Sequence, residues 1–286
     1  MGRVLSSEVT LEPAQEFELT DKDFKYVQWF IHKHVGIFLS DHKRAMVYGR
    51  LSRKLREKGL KRFADYRECI ENNPDDRMAF INALTTNKTH FFREIHHIEF
   101  LESQLFPYWR DQRKKKVRIW SAGCSTGEEP EPYSYLASIQ QSGLWQAGVD
   151  CQLLATDLDT NVLQRAQQGI YEESALECIP TCYLRGNFLR GKGAQAGNIK
   201  VKECLKQHVA FRQLNLLDAW PMQQKFDLIS CRNVMIYFDK PTQQRLIERF
   251  YHQLQDDGVL FLGHSESVGS DCQLFKHLGK TIYIKA

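Results

Sequence analysis

The sequence predicts an α/β protein with a doubly wound, mostly parallel sheet, an all-helical N-terminal domain and a small antiparallel β insertion. Three observations predict this class. Apolar residues recur at helical spacing through roughly the first ninety residues, strands alternate with helices from residue 117 onward, and a glycine-rich stretch near 183–208 interrupts that alternation. Strands that alternate with helices are typical of parallel sheets with right-handed crossovers.

The N-terminal domain is predicted to contain only helices. Val47, Leu51 and Leu55 recur at four-residue spacing and form one apolar stripe, and Gly59 is a natural end for that helix. The first predicted helix follows N-cap candidates at 19–21, and the second begins after Ser40 or Asp41. Two further helices are predicted at Phe63–Asn72 and 77–84. No strand pattern is found in this part of the sequence.

The C-terminal part is predicted to form the sheet. Short apolar runs there are separated by helical stretches at 161–168 and 241–255. The predicted strands are 117–120, 151–157, 209–214, Phe226–Cys231, 258–263 and 281–285, of which the last is expected to run antiparallel.

The stretch at 183–208 does not follow this rhythm. It contains Gly186, Gly191, Gly193 and Gly197, and residues 198–202 alternate as a strand does. We interpret it as a small antiparallel insertion, with a long surface loop as the alternative. The predicted organisation is therefore a helical domain at 1–88 and a sheet domain at 89–286 that carries the insertion.

Composition limits the class of protein. The chain has 286 residues, of which 42% are hydrophobic and 26% charged, and a formal net charge of +4, which excludes a disordered or fibrous protein. No run approaches the roughly 18 apolar residues of a membrane helix, and the N-terminus lacks the apolar segment of a signal peptide. The eight cysteines include no CxxC pair. We expect a cytoplasmic protein with reduced thiols.

The first chemical signal is the turn AGCSTG at 122–127, directly after the first predicted strand of the sheet. Small residues there let backbone N–H groups approach a ligand, and Asp157 at the end of the next strand can accept both hydroxyls of a ribose. The turn is not G-x-G-x-x-G, and Asp157 lies more than the usual ~20 residues beyond it, so the pattern favours a nucleoside but not NAD. A plain tight turn and a helix cap are the structural alternatives.

Two further segments contain polar residues that could line a site. One follows a predicted strand, and the other joins the helical half of the chain to the sheet half. CRNVMIYF at 231–238 places Arg232, Asn233 and Tyr237 after a strand, although its apolar residues also suit the edge of a core. TTNKTHFFRE at 85–94 joins the two halves and is expected to be ordered, because a linker would not usually contain two adjacent phenylalanines. His96 and His97 follow it, but adjacent histidines without further ligands do not predict a metal site.

The chain resembles the CheR family of bacterial chemotaxis receptor methyltransferases from about Phe24 to Tyr283. The motifs that carry the resemblance stand in the family's order and are TNKTHFFR at 86–93, STGEEP at 125–130, NLL at 215–217, CRNVMIYF at 231–238 and GHSE at 263–266. The resemblance implies a class I methyltransferase that uses S-adenosylmethionine and releases S-adenosylhomocysteine. Its implied substrates are glutamate side chains on the cytoplasmic helices of chemoreceptors, which become methyl esters during sensory adaptation.

The resemblance also implies roles for particular residues. The implied cofactor contacts are Asn87, Thr89, Arg93, Glu129, Asp157, Asn215, Leu216, Arg232 and Asn233. Arg93 and Tyr237 are the implied catalytic residues: Tyr237 matches the family tyrosine near the transferred methyl, and Arg93 could orient a carboxylate of either cofactor or substrate. The family pattern Gly-Glu-Glu-Pro-Tyr-Ser reads GEEPEPYS at 127–134 here, so either Glu129 or Glu131 could take the family's glutamate position.

Receptor recognition is expected at two places. The segment 40–62 is rich in cations, and the resemblance implies that Arg50, Arg53 and Arg56 face acidic receptor helices, whereas a solvated surface is the alternative. The insertion resembles the version that captures a receptor's C-terminal pentapeptide on an edge strand. We expect a monomer without nucleic-acid binding or membrane insertion. A cofactor-binding but inactive module and a nucleic-acid methyltransferase are the alternative functions.

Overall fold

The computed structural model describes residues 16–127 and 130–286, with the side chains of residues 130 and 131 outside that description. Its N-terminal helices are α1 (Asp21–Val35), α2 (Arg44–Lys58), α3 (Phe63–Asn72) and α4 (Pro74–Leu84), with a 3₁₀ turn at Asp41–Lys43 before α2. The four predicted helices are therefore confirmed in number and order among the described residues. α4 begins three residues before the predicted position because proline is well tolerated in a first helical turn.

Local chemistry ends and begins these helices. Gly59 adopts the left-handed conformation, with φ of 66°, and its N–H donates to the carbonyl of Arg56. The Asn73 side chain accepts the N–H of Asp75 at 2.8 Å and so satisfies one of the free donors at the start of α4. The predicted stop at Gly59 is thus confirmed.

The described chain divides into two compact units. The first contains residues up to Phe30 together with Ser40–Leu84, and the second contains Ile31–Leu39 together with Thr85–Ala286. The core of the first unit includes the predicted stripe of α2, which is fully buried, and an edge-to-face pair of Phe30 and Phe80 at 5.4 Å. The domain boundary at residue 88 stays a prediction.

The second unit is built on a seven-stranded sheet. Its strands are β1 (Lys116–Ala122), β2 (Asp150–Asp157), β6 (Val209–Gln213), β7 (Phe226–Cys231), β8 (Leu254–Leu262), β9 (Phe275–Gly279) and β10 (Ile282–Lys285), in the spatial order β6-β2-β1-β7-β8-β10-β9. Five neighbouring strands, β6, β2, β1, β7 and β8, run parallel to one another. β10 runs antiparallel to its neighbours β8 and β9. The predicted fold class is confirmed.

Both faces of this sheet are buried. Along β1, Val117 and Ile119 join one hydrophobic cluster, whereas Trp120 and Ala122 join the other. This follows from the two-residue period of a strand, and helices cover a parallel sheet on both sides. The helices of this unit are α5 (His96–Phe100), α6 (Phe106–Asp111), α7 (Tyr135–Ser142), α8 (Thr160–Gln168), α9 (Thr181–Leu184), α10 (Glu203–Lys206) and α11 (Lys240–Gln253).

A second sheet confirms that the unit carries a small antiparallel element. It consists of β3 (Ile170–Glu172), β4 (Phe188–Arg190) and β5 (Asn198–Val201) in the order β3-β5-β4. β3 lies before the predicted insertion at 183–208 and was not predicted. A three-residue strand is too short to show a pattern in sequence. β9 was also not predicted, since most of its side chains are exposed and polar and apolar residues do not alternate there.

None of the helices in the described part of the chain combines the length and the apolar character that crossing a membrane requires.

Candidate active site

The turn after β1 is held tightly against the neighbouring strand ends. The N–H groups of Gly123 and Cys124 both donate to the carbonyl of Thr156, at 2.8 and 2.9 Å. Gly123 has φ of 94°, and a Cβ there would lie 2.3 Å from Val234 Cγ2. Glycine is therefore required twice over, by conformation and by space. The turn forms a close-fitting backbone cradle at the carboxyl edge of the sheet.

Asp157 fastens this turn to β2. One carboxylate oxygen accepts the N–H of Ser125 at 2.8 Å, and the other accepts the N–H of Asp159 at 2.9 Å. Burial is the main cause that raises the pKa of Asp157 to about 6, because it disfavours the charged form. Helix α8 is capped by Asp159 and not by Asp157, which was the structural alternative: Asp159 accepts the N–H of Asn161 at 2.9 Å.

Asp159 also brings the 85–94 segment to this edge. Its second carboxylate oxygen accepts the Thr85 hydroxyl at 2.7 Å and the Asn87 amide at 2.8 Å. Asn87 is one of the candidate cofactor contacts predicted from the sequence. It is thus linked to Asp157 through Asp159, whose N–H donates to the Asp157 carboxylate. Asp159 itself was missed, although an Asp directly before a helical stretch is a recognisable cap signal.

Glu94 joins the same segment to the end of β7. Its carboxylate lies 3.1 Å from Arg232 Nη2 and 3.0 Å from His264 Nδ1, and it accepts the N–H of His264 and the amide of Asn233. Arg232 is almost completely buried and also donates to the carbonyl of Arg93 at 2.8 Å. Burial alone would raise the pKa of Glu94, but the Arg232 charge and these hydrogen bonds hold it below its usual value.

Glu266 holds the turn that follows β7. Its carboxylate accepts the N–H groups of Asn233 at 2.9 Å, Gly263 at 2.7 Å and Ile236 at 3.2 Å. Asn233 has φ of 57°, a conformation that asparagine tolerates better than most residues. Burial raises the pKa of Glu266. Glu266 of the motif GHSE at 263–266 thus fixes, by hydrogen bonds, the backbone of the motif CRNVMIYF at 231–238.

The two candidate catalytic residues are both held by carbonyls of the 86–93 segment. The Tyr237 hydroxyl donates to the carbonyl of Thr86 at 3.4 Å, and Arg93 Nη1 donates to the carbonyl of Lys88 at 3.2 Å. Both side chains are half-buried. The structure therefore places a cation and a phenol beside the same short stretch of backbone.

The remaining candidate cofactor residues differ in what they expose. The N–H of Leu214 donates to the carbonyl of Asp157, which places Asn215 at the same sheet edge, where its amide donates to the carbonyl of His34 at 2.9 Å. The Leu216 side chain is buried in the core, so only its backbone is available to a ligand. Glu129 and the side chain of Glu131 lie outside the described residues.

Two buried hydroxyls suit a polar ligand. Ser125 Oγ and Thr89 Oγ1 belong to a larger set of buried side-chain polar atoms, spread over the described residues, that have no hydrogen-bond partner in the protein. A buried hydroxyl is usually paired, so its lack of a protein partner is a reason to expect a ligand or water there. With the cradle and Asp157, they fit the polar nucleoside and amino-acid groups of S-adenosylmethionine.

Glu94, His96 and His97 lie within 4.8 Å of one another and form a possible metal group. The Glu94 carboxylate is however already paired with Arg232. His97 is fully buried and stacks on Phe261 at 4.5 Å, and burial lowers its pKa. A dication beside a buried guanidinium would be repelled, so these residues are better explained as packing and hydrogen bonding.

The candidate receptor-binding residues lie on α2, in the first unit. Arg53 Nε pairs with Glu57 at 3.1 Å and is 77% exposed, Arg56 pairs with Glu16 at 2.8 Å, and Arg50 donates to the carbonyl of Ala83. Glu16 comes from before α1 and lies outside the segment 40–62 on which the expectation of a basic surface rested. The surface is consequently less strongly basic than the residues of 40–62 alone indicate.

The fold and this edge of the sheet together define a class I S-adenosylmethionine-dependent methyltransferase. Protein-family comparison identifies the family: residues 87–284 match the CheR methyltransferase, SAM binding domain, and residues 22–85 match the CheR methyltransferase, all-alpha domain. The chain belongs to the CheR methyltransferase family.

Curated relatives agree with this assignment. The chain is 44% identical over 273 residues to chemotaxis protein methyltransferase 2 of Pseudomonas aeruginosa, covering 95% of this chain and 96% of the relative. It is 42% identical to the chemotaxis protein methyltransferase of Klebsiella aerogenes, covering 97% and 94%. The Escherichia coli chemotaxis protein methyltransferase is 41% identical, with coverage of 96% and 94%.

Family membership confirms the function predicted from the sequence. The protein is an S-adenosylmethionine-dependent methyltransferase that methylates chemoreceptors in chemotaxis, and glutamate O-methylation is the known CheR reaction. S-adenosylmethionine as the cofactor is confirmed as well. The alternatives, an inactive module and a nucleic-acid methyltransferase, are not favoured.

Proposed function

We propose that methyl transfer takes place at the carboxyl edge of the main sheet, where β1, β2 and β7 end. The observation that carries this proposal is the pair of carboxylates, Asp159 and Glu94, that tie the 85–94 segment to two different strand ends. These contacts gather motifs that are far apart in the sequence at one place. Ligands bind at this edge in doubly wound folds.

The cofactor-binding residues at this edge are, in our proposal, those implied by the resemblance. They are Asn87, Thr89, Arg93, Glu129, Asp157, Asn215, Leu216, Arg232 and Asn233. The buried Asp157 carboxylate would accept ribose hydroxyls, and the Ser125 and Thr89 hydroxyls would pair with polar groups of the ligand. Arg232 and Asn233 are supported from behind by Glu94 and Glu266, so their positions are set before the ligand binds.

Methyl transfer to a carboxylate needs little acid–base catalysis from the protein. S-adenosylmethionine, when bound, supplies a methyl group that its sulfonium already activates. A glutamate side chain with a pKa near 4.3 is ionised at neutral pH, so no general base is needed. What this chain supplies is alignment and exclusion of water. Arg93 would orient a carboxylate of the substrate or cofactor, and Tyr237 would offer its hydroxyl or its aromatic face to a cation.

Two surfaces are proposed to recognise the receptor's cytoplasmic helices and tail. Arg50, Arg53 and Arg56 on α2 would speed the encounter with acidic helices by long-range attraction, even though the ion pairs of Arg53 with Glu57 and of Arg56 with Glu16 reduce the positive potential of this surface. β4 lies at one edge of the small sheet and carries Leu189, which is 52% exposed, so a receptor pentapeptide could add there as a further strand. A monomer with no membrane insertion is sufficient for both.

Transfer of labelled methyl to receptor-containing membranes tests the proposal. We expect incorporation that depends on receptor and a product that mild base releases, as a carboxyl ester should. Cofactor binding without any transfer would instead indicate an inactive module. Titration with aromatic-containing pentapeptides tests the tether separately, and the absence of saturable binding would remove that part of the proposal.

A further inference from the structure

Tyr171 on β3 reaches the turn after β1 from the small sheet. Its hydroxyl donates to the carbonyl of Thr126 at 2.7 Å, and both residues are buried. A Cβ on the following residue, Gly127, would lie 3.1 Å from the Tyr171 hydroxyl oxygen. The tyrosine therefore lies against the last two residues of AGCSTG, the turn that forms the backbone cradle.

The backbone just before this contact is strained. Ser125 has φ of 49°, in the left-handed region that residues with a side chain seldom adopt. Such a conformation persists only where the surrounding structure holds it. The N–H of Ser125 donates to Asp157 at 2.8 Å, and the carbonyl of the next residue, Thr126, accepts the Tyr171 hydroxyl. The two hydrogen bonds thus fix the turn on both sides of its strained residue.

The Tyr171 ring is itself fixed by aromatic packing. It lies edge-to-face against Phe91, with 5.2 Å between the ring centroids, an arrangement that aromatic rings favour. Phe91 packs in the same way against Phe188 of β4, at 5.4 Å. Because Phe91 belongs to the 85–94 segment, the small sheet contacts two parts of the chain that the proposed function places around the cofactor.

We propose that Tyr171 is a positioning residue for the binding of S-adenosylmethionine. This inference rests on the proposed function, in which the turn and Asp157 hold the cofactor. The Tyr171 hydroxyl acts through the backbone: it holds the Thr126 carbonyl and so keeps the N–H of Ser125 directed at Asp157. A site that is ordered before the ligand arrives loses less entropy on binding. Removal of the hydroxyl should therefore weaken cofactor binding without changing how the bound cofactor reacts.

Calorimetry with S-adenosylmethionine tests this inference on Tyr171→Phe, which removes only the hydroxyl. We expect about fivefold weaker binding, the worth of roughly one neutral hydrogen bond. At saturating cofactor, kcat and the KM for a receptor fragment should stay within about twofold of the wild-type values. Tyr183→Phe is the matched control, because Tyr183 is a buried tyrosine of α9 whose hydroxyl donates at 2.7 Å to Glu102 and not to the turn. Both variants should lose some stability to urea, but the control should bind the cofactor as the wild type does.

The pH dependence of binding provides a readout that a general loss of stability would not move. Burial and the neighbouring Asp159 charge raise the pKa of Asp157, whereas the hydrogen bond from the Ser125 N–H favours its charged form. When the turn loosens, that hydrogen bond weakens and the carboxyl takes up its proton at a higher pH. The affinity of Tyr171→Phe should therefore begin to fall at a higher pH than that of the wild type, and Tyr183→Phe should keep the wild-type profile.

The positioning role is wrong if Tyr171→Phe keeps the wild-type affinity, or loses affinity with an unshifted pH profile. It is also wrong if both tyrosine variants lose affinity equally, since the cause would then be a general loss of order in the small sheet. Asp157→Ala separates this inference from the proposed function. Unchanged affinity in Asp157→Ala would overturn the proposed site itself, whereas weak binding there with normal binding in Tyr171→Phe would overturn the role of Tyr171 alone.

Discussion

Glu94 should be the residue on which the order of the site depends most. It is 10% exposed and faces an Arg232 side chain with no exposed surface, so Glu94→Gln leaves a buried guanidinium without its countercharge. Removing one partner of a buried ion pair costs about 3–5 kcal/mol. Glutamine keeps one acceptor oxygen for Arg232 or His264, so we expect a loss near the lower limit, about 3 kcal/mol.

Urea unfolding and calorimetry measure the two consequences. The free energy of unfolding should fall by that amount at pH 7, and S-adenosylmethionine should bind about tenfold more weakly because Arg232 and Asn233 lose their support. Glu99→Gln is the matched control, since Glu99 is exposed on the nearby helix α5. It should change neither quantity.

The pH dependence gives a further check on Glu94. The pKa of this carboxyl is lowered in the folded protein, so its contribution to stability is present above the unfolded pKa of about 4.3 and is lost as pH falls through the folded value. The difference in stability between wild type and Glu94→Gln should therefore shrink in acid. Equal stability of Glu94→Gln and Glu99→Gln at pH 7 would refute the role assigned to this carboxylate.

Three other predictions concern the ligand and the receptor. Asp157→Ala should weaken S-adenosylmethionine binding by about 1.5–3 kcal/mol. Wild-type affinity should fall as pH drops below about 6, where the Asp157 carboxyl takes up a proton. Calorimetry across pH checks both, and unchanged affinity would contradict the ribose assignment. Replacing Arg53 and Arg56 together with Ala should slow receptor methylation, more so at low salt, without altering cofactor affinity; equal rates at every salt concentration would make α2 a solvated surface. Glu129→Ala and Glu131→Ala should differ clearly in cofactor affinity, and if neither matters, the duplicated loop is not part of the site.

Much of the fold follows from short-range patterns. Periodicity shows these features directly, because each depends on residues only a few positions apart in the sequence. They are the apolar stripe on α2, the end of that helix at Gly59, and the apolar runs of β1, β2 and β7. Elements without such a pattern were missed. The three-residue strand β3 and the largely exposed β9 exist because a neighbouring strand offers them hydrogen bonds.

By itself, the sequence determined the class of fold, the family, the cofactor and the motifs that carry them. Only the tertiary structure decided which carboxylates support the site. Arg232 meets Glu94 across 138 positions and Asn87 meets Asp159 across 72, so neither pairing leaves a local pattern. Arg56 likewise finds Glu16 forty positions away, which weakens a charge that composition alone overstated. Such partners are chosen by strand order and burial, because a buried charge must find its counterpart wherever the chain brings one.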